Sequence, residues 1–87
     1  MWFITLAKFR KKPTKADTDA QNKRIAEAAK WGVKVHNAFW TLGQYDAVWI
    51  TEAPDEKTAM RVSLGAADIA STQTLIAVSR DEALKWL

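Results

Sequence analysis

The chain contains a single histidine, His36, whose ring could take part in proton transfer. Histidine is the side chain that ordinarily changes charge near neutral pH, and it can also ligate haem iron. A lone histidine on a strand is more often a surface or hydrogen-bonded residue. We therefore prefer the interpretation of His36 as a surface or hydrogen-bonded residue. The alternative is that His36 is the candidate catalytic residue of an aromatic cavity shaped by Trp40 and Tyr45.

A second group of candidates surrounds a glycine in the middle of the chain. Tyr45 and Asp46 follow Gly43 and would place a phenol and a carboxylate where a ligand can approach the backbone closely. In the simpler interpretation Gly43 makes a turn, Asp46 accepts backbone N–H bonds within it, and Tyr45 packs over the sheet edge. The candidate ligand-binding residues are Trp40, Thr41, Tyr45, Asp46 and Trp49.

The positive charge of the chain is concentrated in one segment, residues 8–15, which we call the basic segment. It carries Lys8, Arg10, Lys11, Lys12 and Lys15, whereas the net charge of the whole chain is only +3. Such a cluster could hold nucleic-acid phosphates, but it is also typical of the solvated end of a strand. The strands lack the basic-aromatic motifs of RNA-recognition domains, so we do not expect nucleic acid as the main partner.

Alternating patterns and capping residues predict the elements that must position these side chains. A capping box formed by Thr18 and Gln21 predicts a first helix that starts at Asp17 or Thr18 and runs to Trp31 before Gly32. Asp55 is a suitable N-cap for a second helix, and Ser79 with Glu82 predicts a short third helix. The predicted strands cover residues 2–9, 33–41, 46–52 and 71–78, and the second helix covers residues 56–65.

The order of these elements is β-α-β-β-α-β followed by a short helix. It predicts an α+β, ferredoxin-like fold with a four-stranded antiparallel sheet and two helices on one face. The length of 87 residues indicates one domain over residues 1–87, and the absence of cysteine argues against a disulfide scaffold or a thiolate zinc site. No apolar run reaches the length of a membrane span, and no signal-peptide pattern is present, so we expect a cytoplasmic protein without membrane contact.

Large apolar side chains occupy both faces of the predicted strands. Ile4 and Leu6 alternate with Phe3 and Ala7, although a half-solvated sheet should alternate apolar with polar residues. The chain also has five tryptophans, which is more aromatic surface than a core of this size can enclose. We therefore expect a second copy to cover the face without helices, giving a homodimer that could assemble further.

The sequence resembles the GYD-domain family. The resemblance rests on Thr41 to Asp46, on Glu52 to Asp55, on Ser63 to Gly65 and on Thr74. It extends over nearly the whole chain and implies a dimeric α+β barrel. The departures from the family include Trp49, which would narrow a pocket if it faced the barrel interior, and the dense run of Arg10, Lys11 and Lys12 within the basic segment.

The leading hypothesis from the sequence is a small homodimeric module that binds a small ligand or acts as an interaction or regulatory module. We expect no cofactor, no metal and no enzymatic activity. One alternative is a small cofactor-independent, oxygenase-like enzyme that uses a cavity between the two sheets, with His36 as its polar group. The other is nucleic-acid association through the basic segment.

Overall fold

The computed structural model describes residues 1–87. It confirms the order of elements, and each strand boundary lies within one residue of its predicted position. The second helix has the predicted bounds. The elements are β1 (Trp2–Phe9), α1 (Lys15–Ala29), β2 (Lys34–Trp40), β3 (Ala47–Glu52), α2 (Glu56–Gly65), β4 (Ala70–Ala77) and α3 (Arg80–Leu84).

The four strands form one antiparallel sheet in the order β2-β3-β1-β4. The two central strands, β1 and β3, are adjacent in the sheet although α1 and β2 separate them in sequence. This is the ferredoxin-like arrangement predicted from the element order. None of the three helices combines the length and the apolar character needed to cross a bilayer.

The first helix begins earlier than predicted. Its N-cap is Thr14, whose hydroxyl accepts from the Asp17 N–H while the Asp17 carboxylate accepts from the Thr14 N–H. The capping box assigned to Thr18 and Gln21 was therefore wrong, because Asp17 fills the position that glutamate or glutamine usually takes. After α1 the chain turns at Gly32, which has a φ of +88° as expected for a helix-ending glycine.

The caps predicted for the other two helices are confirmed. Asp55 accepts from the Thr58 N–H at 2.8 Å, and Ser79 accepts from the Glu82 N–H at 3.1 Å. The Glu82 carboxylate accepts from the Lys85 ammonium rather than from the Ser79 backbone N–H. Only one of the two hydrogen bonds of the capping box predicted for α3 therefore forms.

A β-bulge at His36 interrupts the alternation of β2. Val35 pairs with Thr51 and Asn37 pairs with Ile50, so His36 is the extra residue. An extra residue reverses the side-chain parity beyond it. Simple alternation would place His36 and Trp40 on one face of β2, and the bulge makes that expectation wrong.

The register divides the strand residues into two faces. Both α1 and α2 lie over one face, which we call the helix-covered face, and the opposite one is the helix-free face. Phe3, Thr5, Ala7, Val35, Trp40, Trp49, Thr51, Ala70, Thr72 and Thr74 lie on the helix-covered face, and Trp2, Ile4, Leu6, Phe39, Val48, Ile50, Glu52, Gln73, Leu75 and Ala77 lie on the helix-free face.

The protomer buries little of its surface. Its accessible surface is 6405 Å², which is about 1,200 Å² more than a folded monomer of this mass usually exposes. Only six residues are buried, and five of them are alanines; Phe3, at 2 % exposure, is the single large one. The surplus indicates surfaces that a ligand or a second chain could still cover.

Candidate functional site

One cavity of the protomer lies between the helices and the helix-covered face. Its volume is about 140 Å³ and its wall is mostly apolar. The position follows from the sequence, because α1 and α2 turn small residues toward the sheet and the sheet offers threonine and alanine beside its aromatics. The helices contribute Gln21, Arg24, Ile25, Ala28, Ala59, Val62 and Ser63, and the sheet contributes Phe3, Thr5, Trp40, Trp49, Thr72 and Thr74.

Hydroxyl groups join three elements around this cavity. The Thr5 and Thr74 hydroxyls are 3.2 Å apart, and the Thr74 and Ser63 hydroxyls are 3.3 Å apart. These contacts connect β1, β4 and α2. A chain of hydroxyls in an apolar wall provides donors and acceptors that can reorient toward a bound polar group.

Two tryptophans from the sequence prediction line the same cavity. Trp40 is 65 % exposed and contacts Phe9 edge to face, with ring centroids 5.3 Å apart. Trp49 lies beside them on the helix-covered face. A tryptophan on this face does not narrow the space between two facing sheets, so the effect expected of Trp49 on a barrel interior does not arise.

The charged residues that line the cavity are Lys11, Asp17 and Arg24. The carboxylate of Asp17 is engaged in the cap of α1, and the hydrogen bonds from Thr14 hold its pKa below the ordinary value. Atom Nη2 of Arg24 has almost no accessible surface and no hydrogen-bond partner. Arg24 therefore lines the cavity with a partly buried side chain that forms no ion pair in the structure.

His36 lies on the other side of the sheet. Its Nε2 is 2.7 Å from the Glu52 carboxylate, and its ring stacks on Trp2 with centroids 4.5 Å apart. The His36 side chain is 30 % exposed to solvent. Because of the bulge, the structure does not bring His36 together with Trp40, which lines the cavity on the opposite face.

The residues around Gly43 form structural hydrogen bonds. Asp46 accepts from the Phe9 N–H at 2.8 Å, which ties the β2–β3 connection to the end of β1 rather than bonding within the turn. The Thr41 hydroxyl donates to the Tyr45 carbonyl, and the Tyr45 hydroxyl donates to the Gln73 side chain of β4. Gly43 has a φ of +108°, as its turn requires. Trp40 and Trp49 line the cavity, whereas Thr41, Tyr45 and Asp46 stand outside it.

The basic segment occupies the end of β1 and the connection to α1. Arg10 donates through Nε to the Ala67 carbonyl, so this guanidinium helps to hold the loop that follows α2. Lys8 lies on the helix-free face, opposite Ser71, and Lys11 reaches the cavity. The five positive residues therefore do not all serve a single surface.

Sequence reasoning missed Arg24, Ser63 and Thr74 as site residues. A signal was available for Arg24: it shares a helical face with Gln21, Ile25 and Ala28, the face that carries the apolar residues of α1. An arginine on the sheet-facing side of an amphipathic helix marks a charge that needs a partner.

Comparison with known proteins gives one family. The GYD-domain model matches residues 3–87, essentially the whole chain. No curated protein matches the sequence.

Proposed function

We propose that this chain, which belongs to the GYD-domain family, is a homodimeric binding module that holds a small ligand between the helices and the sheet of each protomer. The observation that carries the proposal is the cavity of about 140 Å³ on the helix-covered face. An apolar wall with a few convergent polar groups is typical of small-molecule sites.

The residue types around the cavity support a binding role. The sheet residues Thr5, Thr72 and Thr74 occupy positions where a closed core would carry larger aliphatic side chains. Their hydroxyls offer hydrogen bonds, whereas Trp40 and Trp49 offer flat apolar surface. The cavity is comparable in size to one of about 150 Å³ that accepts benzene.

Benzyl alcohol, a neutral ring with one hydroxyl, is a suitable first probe. Titration followed by amide and indole NMR signals should shift Trp49 and Ser63, with a dissociation constant on the order of 1 mM. Ala59→Leu fills part of the cavity and should weaken binding, whereas Ala26→Leu on the exposed side of α1 is the matched control. Signals that do not move, or equal binding by both variants, would overturn the ligand site.

The helix-free face supports the homodimer. It carries Ile4, Leu6 and Ile50 at its centre and Phe39, which is 53 % exposed, near one edge. A second copy placed on this face would cover apolar surface that the protomer leaves open. The surplus of about 1,200 Å² in the protomer compares with the roughly 800 Å² that each partner buries in a standard interface.

Sedimentation of the wild-type chain tests the association directly. At about 10 μM we expect a species of about twice the 9.8 kDa protomer mass, which dissociates on dilution. A protein that stays monomeric at every concentration would contradict the dimer without affecting the ligand cavity.

The contact between His36 and Glu52 favours a second candidate function. A carboxylate 2.7 Å from an imidazole can orient it for proton transfer, and in a dimer the pair would face the space between two sheets. This is the oxygenase-like alternative from the sequence. Its test is turnover of an enolisable or phenolic substrate by wild type and His36→Gln: activity lost only in the variant supports it, and equal rates refute it.

A further inference from the structure

The cavity contains a positive charge for which the fold provides no counter-ion. The ion pairs of the structure join Lys30 to Glu27, Lys85 to Glu82, and His36 to Glu52, and none of them includes Arg24. Nη2 of Arg24 is shielded from solvent and donates no hydrogen bond. A buried N–H group without a partner is costly, and the cost is larger when the group is charged.

The one acidic residue that lines the cavity is already engaged. Asp17 lines the same cavity, but both its carboxylate and its backbone N–H are bonded to Thr14 in the cap of α1. Asp17 and Arg24 lie about two helical turns apart on α1 and form no ion pair. With Lys11 also present, the charges on the cavity wall sum to a net positive value.

The side chain of Arg24 reaches the end of the second helix. A Cβ built on Gly65 of α2 would lie 3.7 Å from Arg24 Cδ, so the glycine leaves room for the arginine at this point. The planar fork of an arginine guanidinium matches a carboxylate through two parallel hydrogen bonds.

We infer that the cavity binds a small organic acid, with its carboxylate paired to Arg24 and a single apolar ring or short branched chain against the aromatic wall. The inference rests on the ligand-binding function proposed above and adds the charge of the ligand and the residue that recognises it. The volume of about 140 Å³ limits the apolar part to about the size of benzene.

The test compares benzoate with its neutral relatives benzyl alcohol and benzamide, and with inorganic phosphate as an anion without an apolar part. Titrations at neutral pH are followed by calorimetry and by the NMR signals of Trp40 and Trp49. Wild type should bind benzoate about tenfold to a hundredfold more tightly than benzyl alcohol, because a charge-assisted hydrogen bond replaces a neutral one. Phosphate should bind more weakly than benzoate.

Arg24→Met keeps the length of the side chain and removes its charge. It should abolish the preference for benzoate while retaining the affinity for benzyl alcohol, and Arg24→Lys should retain part of the preference. Arg80→Met, on the exposed α3, removes the same charge elsewhere and should leave the preference unchanged.

The outcomes separate the two proposals. Equal binding of benzoate and benzyl alcohol by wild type, or a preference that survives Arg24→Met, overturns the anion site and leaves the ligand cavity in place. Phosphate binding as tightly as benzoate overturns the apolar part of the ligand. Failure of all four probes overturns the ligand cavity itself. The comparison in wild type requires no variant, so it remains decisive even if Arg24→Met does not fold.

Discussion

The two faces of the sheet both carry large apolar side chains, but they differ in what covers them. Under the helices, where a closed core is expected, threonines and alanines beside the aromatic residues leave a cavity that Arg24 also lines. On the side without helices, aliphatic residues such as Ile4 and Ile50 form a continuous apolar centre.

This contrast suggests a division of roles between the faces. A face that is covered but incompletely filled suits a small ligand, which can supply the missing contacts. A face that is apolar but uncovered suits another protein surface of similar shape. The six buried residues of the protomer are too few to account for its apolar content without either partner.

The largest expected effect comes from Phe3, the one large residue fully buried on the helix-covered face. Phe3→Ala should lower the free energy of unfolding by about 3–5 kcal/mol, measured by urea titration, because it enlarges an existing cavity. The matched control is Phe39→Ala on the helix-free face. Its cost should be small at low protein concentration and should rise with concentration if Phe39 lies in the proposed dimer interface. If both variants lost the same free energy of unfolding at every protein concentration, the proposed difference between the two faces would be contradicted.

The next effect concerns the helix-free face alone. Ile50→Lys places a charge at the centre of the apolar surface and should raise the dimer dissociation constant by about a hundredfold or more, measured by sedimentation. Met60→Lys, on an exposed position of α2, adds the same charge outside that face and should not change the association. Loss of association in both variants would instead indicate a general charge effect.

A smaller effect is expected where the β2–β3 connection meets β1. Asp46→Ala removes the acceptor of the half-buried Phe9 N–H and should cost about 1–3 kcal/mol in thermal or chemical unfolding. Asp46→Asn keeps an oxygen acceptor and should recover much of the loss. If the asparagine variant is no better than alanine, the charge of Asp46 matters more than its hydrogen bond.

The smallest effect concerns the cap that starts α2 above the cavity. Hydrogen bonds from the Thr58 backbone and hydroxyl lower the pKa of Asp55. The pKa of Asp55 is lower in the folded state than in the unfolded state. The cap therefore stabilises the fold fully at a pH above the unfolded-state pKa, and this stabilisation is lost as the pH falls through the folded-state pKa. Asp55→Asn should therefore flatten the decline of Tm between about pH 5 and pH 3. Asp81→Asn, in the exposed first turn of α3, is the control and should keep the wild-type slope.

Local signals were sufficient to predict most of the elements. The strand of Trp2–Phe9, the Asp55 cap and the turn at Gly32 depend on neighbours within a few residues, so their chemistry can be read directly from the chain. The start of α1 was misplaced because Thr14 with Asp17 and Thr18 with Gln21 both resemble a capping box. Only the backbone conformation at Thr14 distinguishes them.

The candidate site was less predictable, because it depends on which residues face each other across elements. One extra residue at His36 separates it from Trp40, and alternation alone does not reveal a bulge. Arg24 became a candidate only when the structure showed that its Nη2 has no partner, since a sequence does not show which charges are paired.

The amino-acid sequence by itself determined the order of strands and helices, the ferredoxin-like arrangement and the presence of apolar side chains on both sides of the sheet. These properties follow from local conformational preferences and from the period of each element. Tertiary structure decided that the cavity lies under the helices and that Arg24 lies beside it without an ion-pair partner. Both features depend on distances between residues that are far apart in the chain. These distances are fixed only when the strand register and the helix packing are in place.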